Sequence, residues 1–206
     1  MAEILKFPDL KPSKFGYKKA KTVRKGKKID PELYGQLNLF SKPAQVFHLT
    51  SNLTPFEEAL MYDEMNNEKA AELYRKAIAQ KDSVADAYCN LGIIESKKGN
   101  TAEAFDCFTK SLKVNPRHFE SHFNLANLYF DEGDFKLAEL HYNLAKKFDK
   151  DFPNLFFNLG LVQAVNREFD AAINSFQTYK NMVSDEEEKK ADELLKNLKQ
   201  SLATPN

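Results

Sequence analysis

The chain has 206 residues, 42% of them hydrophobic and 29% charged, which is enough for one folded domain with a core. It contains no apolar run of the roughly 18 residues that a membrane-spanning helix needs, and its first ten residues carry charges and a proline where a signal peptide is apolar. We therefore predict a protein that does not contact membranes and that is cytoplasmic.

The formal net charge of zero conceals a basic first quarter. Residues 1–50 carry 11 Lys and Arg against 4 Asp and Glu, whereas the rest of the chain carries 19 against 26. Four prolines and the absence of helical or strand periodicity predict a disordered arm over residues 1–50. The lysine-rich stretch over residues 11–28, with Phe15 and Tyr17 among the cations, is typical of a weak nucleic-acid contact. Solvated charge without a partner has the same composition.

The arm also contains a short apolar segment, Gln36-Leu37-Asn38-Leu39-Phe40. This pentapeptide resembles the sliding-clamp-binding motif of bacterial DNA polymerases and repair proteins. The resemblance implies that Gln36, Leu37, Leu39 and Phe40 bind a sliding clamp, with Leu39 and Phe40 as the buried anchors. Docking on the chain's own groove, or over its first repeat unit, explains the same patch.

From residue 54 onwards the sequence repeats with a period of 34. Alanines recur at this spacing, and each is followed four residues later by an aromatic residue, as on one face of a helix. The pairs are Ala70 and Tyr74, Ala104 and Phe108, Ala138 and Tyr142, and Ala172 and Phe176. A second ladder at the same period consists of Leu91-Gly92, Leu125-Ala126 and Leu159-Gly160. Small residues let helices approach closely, and the aromatic rings fill the spaces between them.

This pattern resembles the tetratricopeptide repeat, a unit of two helices. The resemblance implies an all-α fold, a right-handed superhelical solenoid of about four helix hairpins. We place this repeat domain over residues 51–183, with units over 54–83, 84–117, 118–151 and 152–183. The predicted helices are 55–65, 68–81, 84–98, 101–114, 118–132, 135–148, 152–165 and 169–182. The first unit fits only if its turn at Asn66-Asn67 is one residue short, and Gly99, Gly133 and Asn166 are expected to end the first helices of the other units.

Residues 184–206 are predicted to form a capping helix and a tail. Ser184 and Glu187 have the spacing of a capping box, and apolar residues then recur on one face of a charged segment. Those residues are Ala191, Leu194, Leu195, Leu198 and Leu202. Such a helix covers the last unit of a repeat array and gives it a polar outer surface.

The resemblance also implies a concave groove lined by the first helix of each unit. Asn90, Asn124 and Asn158 recur in this groove, where a carboxamide either pairs with the backbone of an extended peptide or braces the neighbouring helix. The other groove residues that we expect are Ile93, Phe123, Asn127, Phe130, Phe157 and Leu161. Together they predict an adaptor that binds a protein or peptide partner.

One subclass of these repeats grips acidic chaperone tails with Lys and Arg on the groove. The matching positions here are Asp86, Glu120 and Asn154, so we expect no binding of such tails.

No catalytic motif is found in the sequence. It has seven glycines and no glycine-rich phosphate loop or nucleophile elbow, so we predict a protein that is not an enzyme and that needs no cofactor. His118 and His122 are four residues apart, but they fall on packing and turn positions, and Cys89 and Cys107 are expected to be core thiols; we predict no metal site. The leading function is a peptide-binding adaptor or scaffold, and the alternative is an accessory factor of DNA replication or repair tethered by its arm.

Overall fold

The computed structural model describes residues 53–203, and this part of the chain is entirely helical apart from its turns. The helices are α1 (Pro55–Glu64), α2 (Lys69–Ala79), α3 (Val84–Lys97), α4 (Thr101–Val114), α5 (Phe119–Asp131), α6 (Phe135–Phe148), α7 (Pro153–Val165), α8 (Phe169–Lys180) and α9 (Asp185–Ala203). The first eight begin and end within two residues of the predicted bounds.

The helices pack in the order of the sequence, as in a solenoid. The closest pairs are α1 with α2, α3 with α4, α5 with α6, and α7 with α8, and each pair contacts the next through its second helix. Each hairpin contacts only its neighbours in sequence through these interfaces, so the array has no single central core. The predicted all-α solenoid of four hairpins is confirmed.

The turn of the first unit is one residue shorter than the others, as predicted. Asn66 takes a left-handed conformation (φ 51°) four residues before Ala70, whereas Gly99 (φ 81°) stands five residues before Ala104. Both left-handed residues lie seven residues after a small residue of the first helix, which is Ala59 in the first unit and Gly92 in the second.

In the fourth unit the prediction for this turn was wrong by one position. Asn166 ends α7 in a right-handed conformation (φ −71°), and Arg167 takes the left-handed one (φ 64°). A left-handed conformation strains Arg more than Asn, so residue preference alone would place it at Asn166. The turn geometry of the repeat places it at Arg167 and overrides that preference.

Close approach of the helices depends on two glycines. A Cβ built on Gly92 would lie 2.7 Å from Phe108 Cε1, and one on Gly160 would lie 2.8 Å from Phe176 Cε1. Both rings are almost completely buried, so each fills the space that its glycine leaves open.

The last helix covers the end of the array. Ala191, Leu194, Leu195 and Leu198 of α9 are buried, and the three leucines pack in one cluster with Phe176. On the outer side Lys180 Nζ lies 2.7 Å from Asp192 Oδ1. The capping helix that the apolar stripe predicted is present, and none of the helices within residues 53–203 is long and apolar enough to cross a membrane.

Candidate functional site

The three asparagines of the predicted ladder occupy equivalent places on α3, α5 and α7. Asn90, Asn124 and Asn158 are 5%, 6% and 0% exposed. Each carboxamide therefore needs a hydrogen-bond partner within the protein, in ordered water or in a ligand. These partners differ from one asparagine to the next.

The Asn90 carboxamide is held by the preceding unit. Its Nδ2 donates to the hydroxyl oxygen of Tyr74 at 3.1 Å, and that hydroxyl donates to Asp63 Oδ2 at 3.0 Å. All three groups are buried, so this asparagine braces the interface between the first two units.

Asn158 is held in a related way. Its Nδ2 donates to Asn127 Oδ1 at 3.0 Å, and the hydroxyl of Tyr142 donates to the same oxygen. Two of the three asparagines thus serve the bracing role that the sequence left open as an alternative.

Asn124 differs because the aromatic residue of the preceding unit is Phe108, which has no hydroxyl. Within the described residues its carboxamide makes one hydrogen bond, a 3.9 Å contact from Nδ2 to Cys89 Sγ. A thiol sulfur is a weak acceptor, so this buried amide retains most of its hydrogen-bonding capacity.

A cavity of about 80 Å³ opens beside Asn124, between α3, α4 and α5. Its walls are Ile93, Ser96, Lys97, Phe108, Asn124, Asn127, Leu128 and Asp131. The inner walls are mainly apolar, whereas Lys97 and Asp131 stand at the exposed rim. The structure therefore brings three predicted groove residues, Ile93, Asn124 and Asn127, into one site.

Phe123, also predicted to lie in the groove, does not line this cavity. This side chain is fully buried, and its ring packs edge-on against Phe152 with the centroids 5.3 Å apart. Phe152 lies just before α7, so Phe123 fills the interface between two units and cannot meet a ligand in this conformation.

The remaining predicted groove residues lie on α5 and α7. Phe130 of α5 is half-buried beside the cluster that contains Leu161, which is itself buried. Phe157 is also half-buried, with its ring against Phe176 and Tyr179 of α8. Both aromatic rings keep an accessible edge, whereas Leu161 contributes mainly to the packing beneath them.

An acidic pair stands beside a buried imidazole near the start of α5. Asp86 Oδ1 lies 2.9 Å from His118 Nε2, and Glu120 Oε2 lies 3.8 Å from the same nitrogen. The resemblance places these two acids where receptors of acidic tails carry cations. Asp86 is paired with His118, so the group keeps the negative charge of Glu120, which disfavours an anionic ligand.

A chain of hydrogen bonds leads from His118 to the backbone of α3. The carbonyl of Ala85 can only accept, so Ser111 donates to it at 2.7 Å and Ser121 donates to Ser111 at 2.7 Å. His118 Nδ1 lies within hydrogen-bond distance of both the Ser121 hydroxyl oxygen, at 2.9 Å, and the Ser121 backbone N–H, at 3.2 Å, while Nε2–H donates to Asp86 Oδ1 at 2.9 Å. Burial is the largest single effect on this ring and opposes a positive charge, but the interactions with Asp86, Cys89 and Glu120 together outweigh it and raise the pKa of His118 to about 10, which keeps the ring protonated near pH 7.

Sequence reasoning missed this aspartate–histidine–serine line because Asp86 and His118 are 32 residues apart. The line does not form a nucleophile, since Ser121 is fully buried and its proton is engaged by Ser111. It joins α3 and α4 to α5 instead.

His122 lies close to His141 rather than forming a pair with His118. The two Nδ1 atoms are 3.0 Å apart, and His122 Nε2–H donates to the Pro116 carbonyl at 3.0 Å. Burial lowers the pKa of both rings, that of His141 to about 4. Both rings are therefore neutral near pH 7. Within residues 53–203 no three His, Cys, Asp or Glu side chains come together in a way that could hold a metal ion.

Both cysteines are buried free thiols. Burial raises the pKa of Cys107 to about 11, which keeps it protonated and poorly nucleophilic. The clamp-like motif and the lysine-rich stretch lie outside the described residues, so those predictions stay predictions.

Comparison with known proteins agrees with the repeat pattern. Two family models of the tetratricopeptide repeat match residues 85–118 and 107–140. Human tetratricopeptide repeat protein 8 is 27% identical over 100 residues, which cover 48% of this chain and 18% of that protein. The tetratricopeptide repeat-containing protein trd-1 of Caenorhabditis elegans is 26% identical over 135 residues, or 66% of this chain and 17% of that protein. The chain thus spans less than a fifth of the length of either relative.

Solved structures share the fold. The first tetratricopeptide domain of Spaghetti (RPAP3), bound to the HSP90 peptide SRMEEVD, superposes with a TM-score of 0.54 and 23% identity over 58% of this chain and 94% of that one. MamA superposes with a TM-score of 0.56 and 21% identity over 67% of this chain and 79% of that one. The chain therefore folds as a tetratricopeptide-repeat solenoid.

Proposed function

We propose that this chain is a non-enzymatic adaptor that binds a peptide segment of a partner protein along the first helices of its units, at α3, α5 and α7. The observation that carries the proposal is the Asn124 carboxamide, which is 6% exposed, faces a cavity of about 80 Å³ and has one weak hydrogen bond. No fully buried side-chain nitrogen or oxygen of the described residues lacks a hydrogen-bond partner, so the part of this amide without one is accessible to a ligand or to water.

Apolar side chains on α5 and α7 suit an extended peptide. Phe130 and Phe157 are partly exposed, and Val165 at the end of α7 is 42% exposed. Aromatic rings of this kind anchor a bound chain, while carboxamides pair with its backbone.

The charge of the site favours a neutral or basic peptide. Asp86 and Glu120 stand where a receptor for acidic tails needs cations, and residues 51–206 carry seven more acidic than basic side chains. The structurally similar Spaghetti domain binds an acidic peptide, so the expected ligands of the two proteins differ in charge.

A library of acetylated, amidated hexapeptides, with one position fixed at a time, tests the proposal. Fluorescence anisotropy of labelled peptides should show micromolar binding of a subset that is apolar or basic, and no binding of SRMEEVD. Asn124→Ala should weaken the best peptide about 2- to 20-fold, because one or two hydrogen bonds are lost.

The matched control is Leu140→Ala, which trims an exposed apolar side chain of α6 outside the cavity and should leave affinity unchanged. Equal effects of the two substitutions, or binding of SRMEEVD stronger than that of every basic peptide, would contradict the proposed site.

A further inference from the structure

The four units alternate between two kinds of residue pair. In each unit a small residue of the first helix stands at the same place relative to the aromatic residue of the second helix. The pairs are Ala59 with Tyr74, Gly92 with Phe108, Ala126 with Tyr142, and Gly160 with Phe176. Alanine thus goes with tyrosine and glycine with phenylalanine, so the pattern repeats every two units.

The tyrosine units use their hydroxyl to engage the asparagine network of the next interface. Tyr74 accepts from Asn90, 16 residues further along the chain, and Tyr142 shares the Asn127 oxygen with Asn158, also 16 residues further along. The Nδ2 groups of Asn90 and Asn158 are thus engaged within the protein by partners stronger than a thiol.

Asn124 likewise lies 16 residues after Phe108, but the phenylalanine side chain has no hydroxyl with which to bond it. The cavity lies at this place, with Phe108 on one wall and Asn124 on another. The exchange of tyrosine for phenylalanine therefore accounts for both the cavity and the under-used amide.

Phe176 also lacks a hydroxyl, but the residue 16 positions further along is Asp192 and not an asparagine. The next helix is α9, which presents Leu194 and Leu195 to the Phe176 cluster where the other interfaces present an asparagine. Among the described interfaces, the one between the second and third units has phenylalanine (Phe108) in place of the tyrosine and still has the asparagine (Asn124).

We propose that this cavity is the specificity pocket of the groove: it takes one short aliphatic side chain of the bound peptide while the Asn124 carboxamide pairs with the backbone of the same peptide residue. This inference rests on the proposed peptide-binding function and deepens it. Asn90 and Asn158 are then structural, and a single residue sets the register of the ligand.

The size and lining of the cavity select this side chain. A water needs roughly 10–15 Å³ of such volume and an engineered cavity that holds benzene has about 150 Å³. A cavity of about 80 Å³ is thus large for one water and small for an aromatic ring. Ile93, Phe108 and Leu128 supply apolar walls, which favour valine, isoleucine, leucine or threonine over a charged side chain.

The decisive variant is Phe108→Tyr, which supplies the hydroxyl that the neighbouring interfaces possess. The new hydroxyl should engage Asn124 and fill the cavity, so the best library peptide should bind about tenfold more weakly. The preference for a short aliphatic residue at one peptide position should also disappear, while preferences at other positions remain.

The matched control is Tyr74→Phe, the reverse exchange at an interface that has no role in the pocket. It should lower the melting temperature and, since it frees Asn90 and leaves Asn124 untouched, it should neither weaken binding of the best peptide nor remove its preference for a short aliphatic residue. If Phe108→Tyr does not fold, as judged by circular dichroism, Ser96→Val fills the cavity from α3 and should have the same effect on peptide preference.

Two results overturn the inference and differ in meaning. Unchanged affinity and preference in a folded Phe108→Tyr protein would show that the cavity is not the pocket, while the groove could still bind peptides. Failure of the wild-type protein to bind any library peptide would remove the proposed function and the pocket together.

Discussion

Gly92→Ala tests whether the phenylalanine rings depend on the glycines beneath them. The new Cβ would lie 2.7, 2.9 and 3.0 Å from Cε1, Cδ1 and Cζ of Phe108, well inside the roughly 3.5–4.0 Å of a favourable carbon contact. The ring cannot move freely, since Phe108 is 1% exposed and packs in a cluster with Leu125 and Leu128.

Two effects oppose each other in this variant. Overpacking a close-fitting core costs about 1–3 kcal/mol, whereas alanine in place of glycine inside a helix gains about 1 kcal/mol. We expect the clash to win, with a net loss of about 1 kcal/mol and a fall in melting temperature of about 2–4 °C.

Thermal unfolding followed by circular dichroism gives the result. Gly160→Ala is an independent repeat of the experiment, because its Cβ would lie 2.8 Å from Phe176. In the double variant Gly92→Ala, Phe108→Leu, the smaller side chain should make the two changes cost less together than the sum of each alone. A rise in melting temperature for Gly92→Ala would mean that helix propensity dominates and that the close fit of ring on glycine has no energetic weight.

Three further predictions concern the packing, the buried imidazolium and the arm. Leu125→Ala removes a side chain that is 4% exposed and should cost about 2–5 kcal/mol in urea unfolding, whereas deletion of residues 1–45 should cost almost nothing; equal losses would show that the arm belongs to the fold. The pKa of His118 is raised from 6.5 to about 10, so its contribution to stability is complete below pH 6.5 and declines as pH rises toward 10, and His118→Gln should remove that decline. A peptide of residues 34–41 should bind a purified bacterial sliding clamp and lose binding with Phe40→Ala; absence of binding at high micromolar peptide would leave the motif a coincidence.

The repeat period was sufficient to predict the helices, because every unit has to meet the same packing demand. Ala104 and Phe108 on one helix and Leu91-Gly92 on the other define the hairpin by themselves. The short first turn was predictable for the same reason, because Ala70 follows Ala59 by 11 residues, whereas Ala104 follows Gly92 by 12.

The roles of the asparagines were not predictable from their own positions. Whether Asn124 is free to bind depends on residue 108, which lies on another helix of the preceding unit. The sequence contains that signal as a tyrosine or phenylalanine 16 residues earlier, but the spacing has meaning only once Tyr74 is seen to contact Asn90. The His118 network is equally non-local.

The interface that carries the cavity is held together at another point. Between the second and third units, His118 bonds Asp86, and Ser121 connects through Ser111 to the backbone of α3. These bonds lie at the beginning of α5, whereas Asn124 lies further along the same helix. Hydrogen bonds therefore fix this interface at one end of α5, while the cavity, where we propose that a peptide binds, lies further along the same helix.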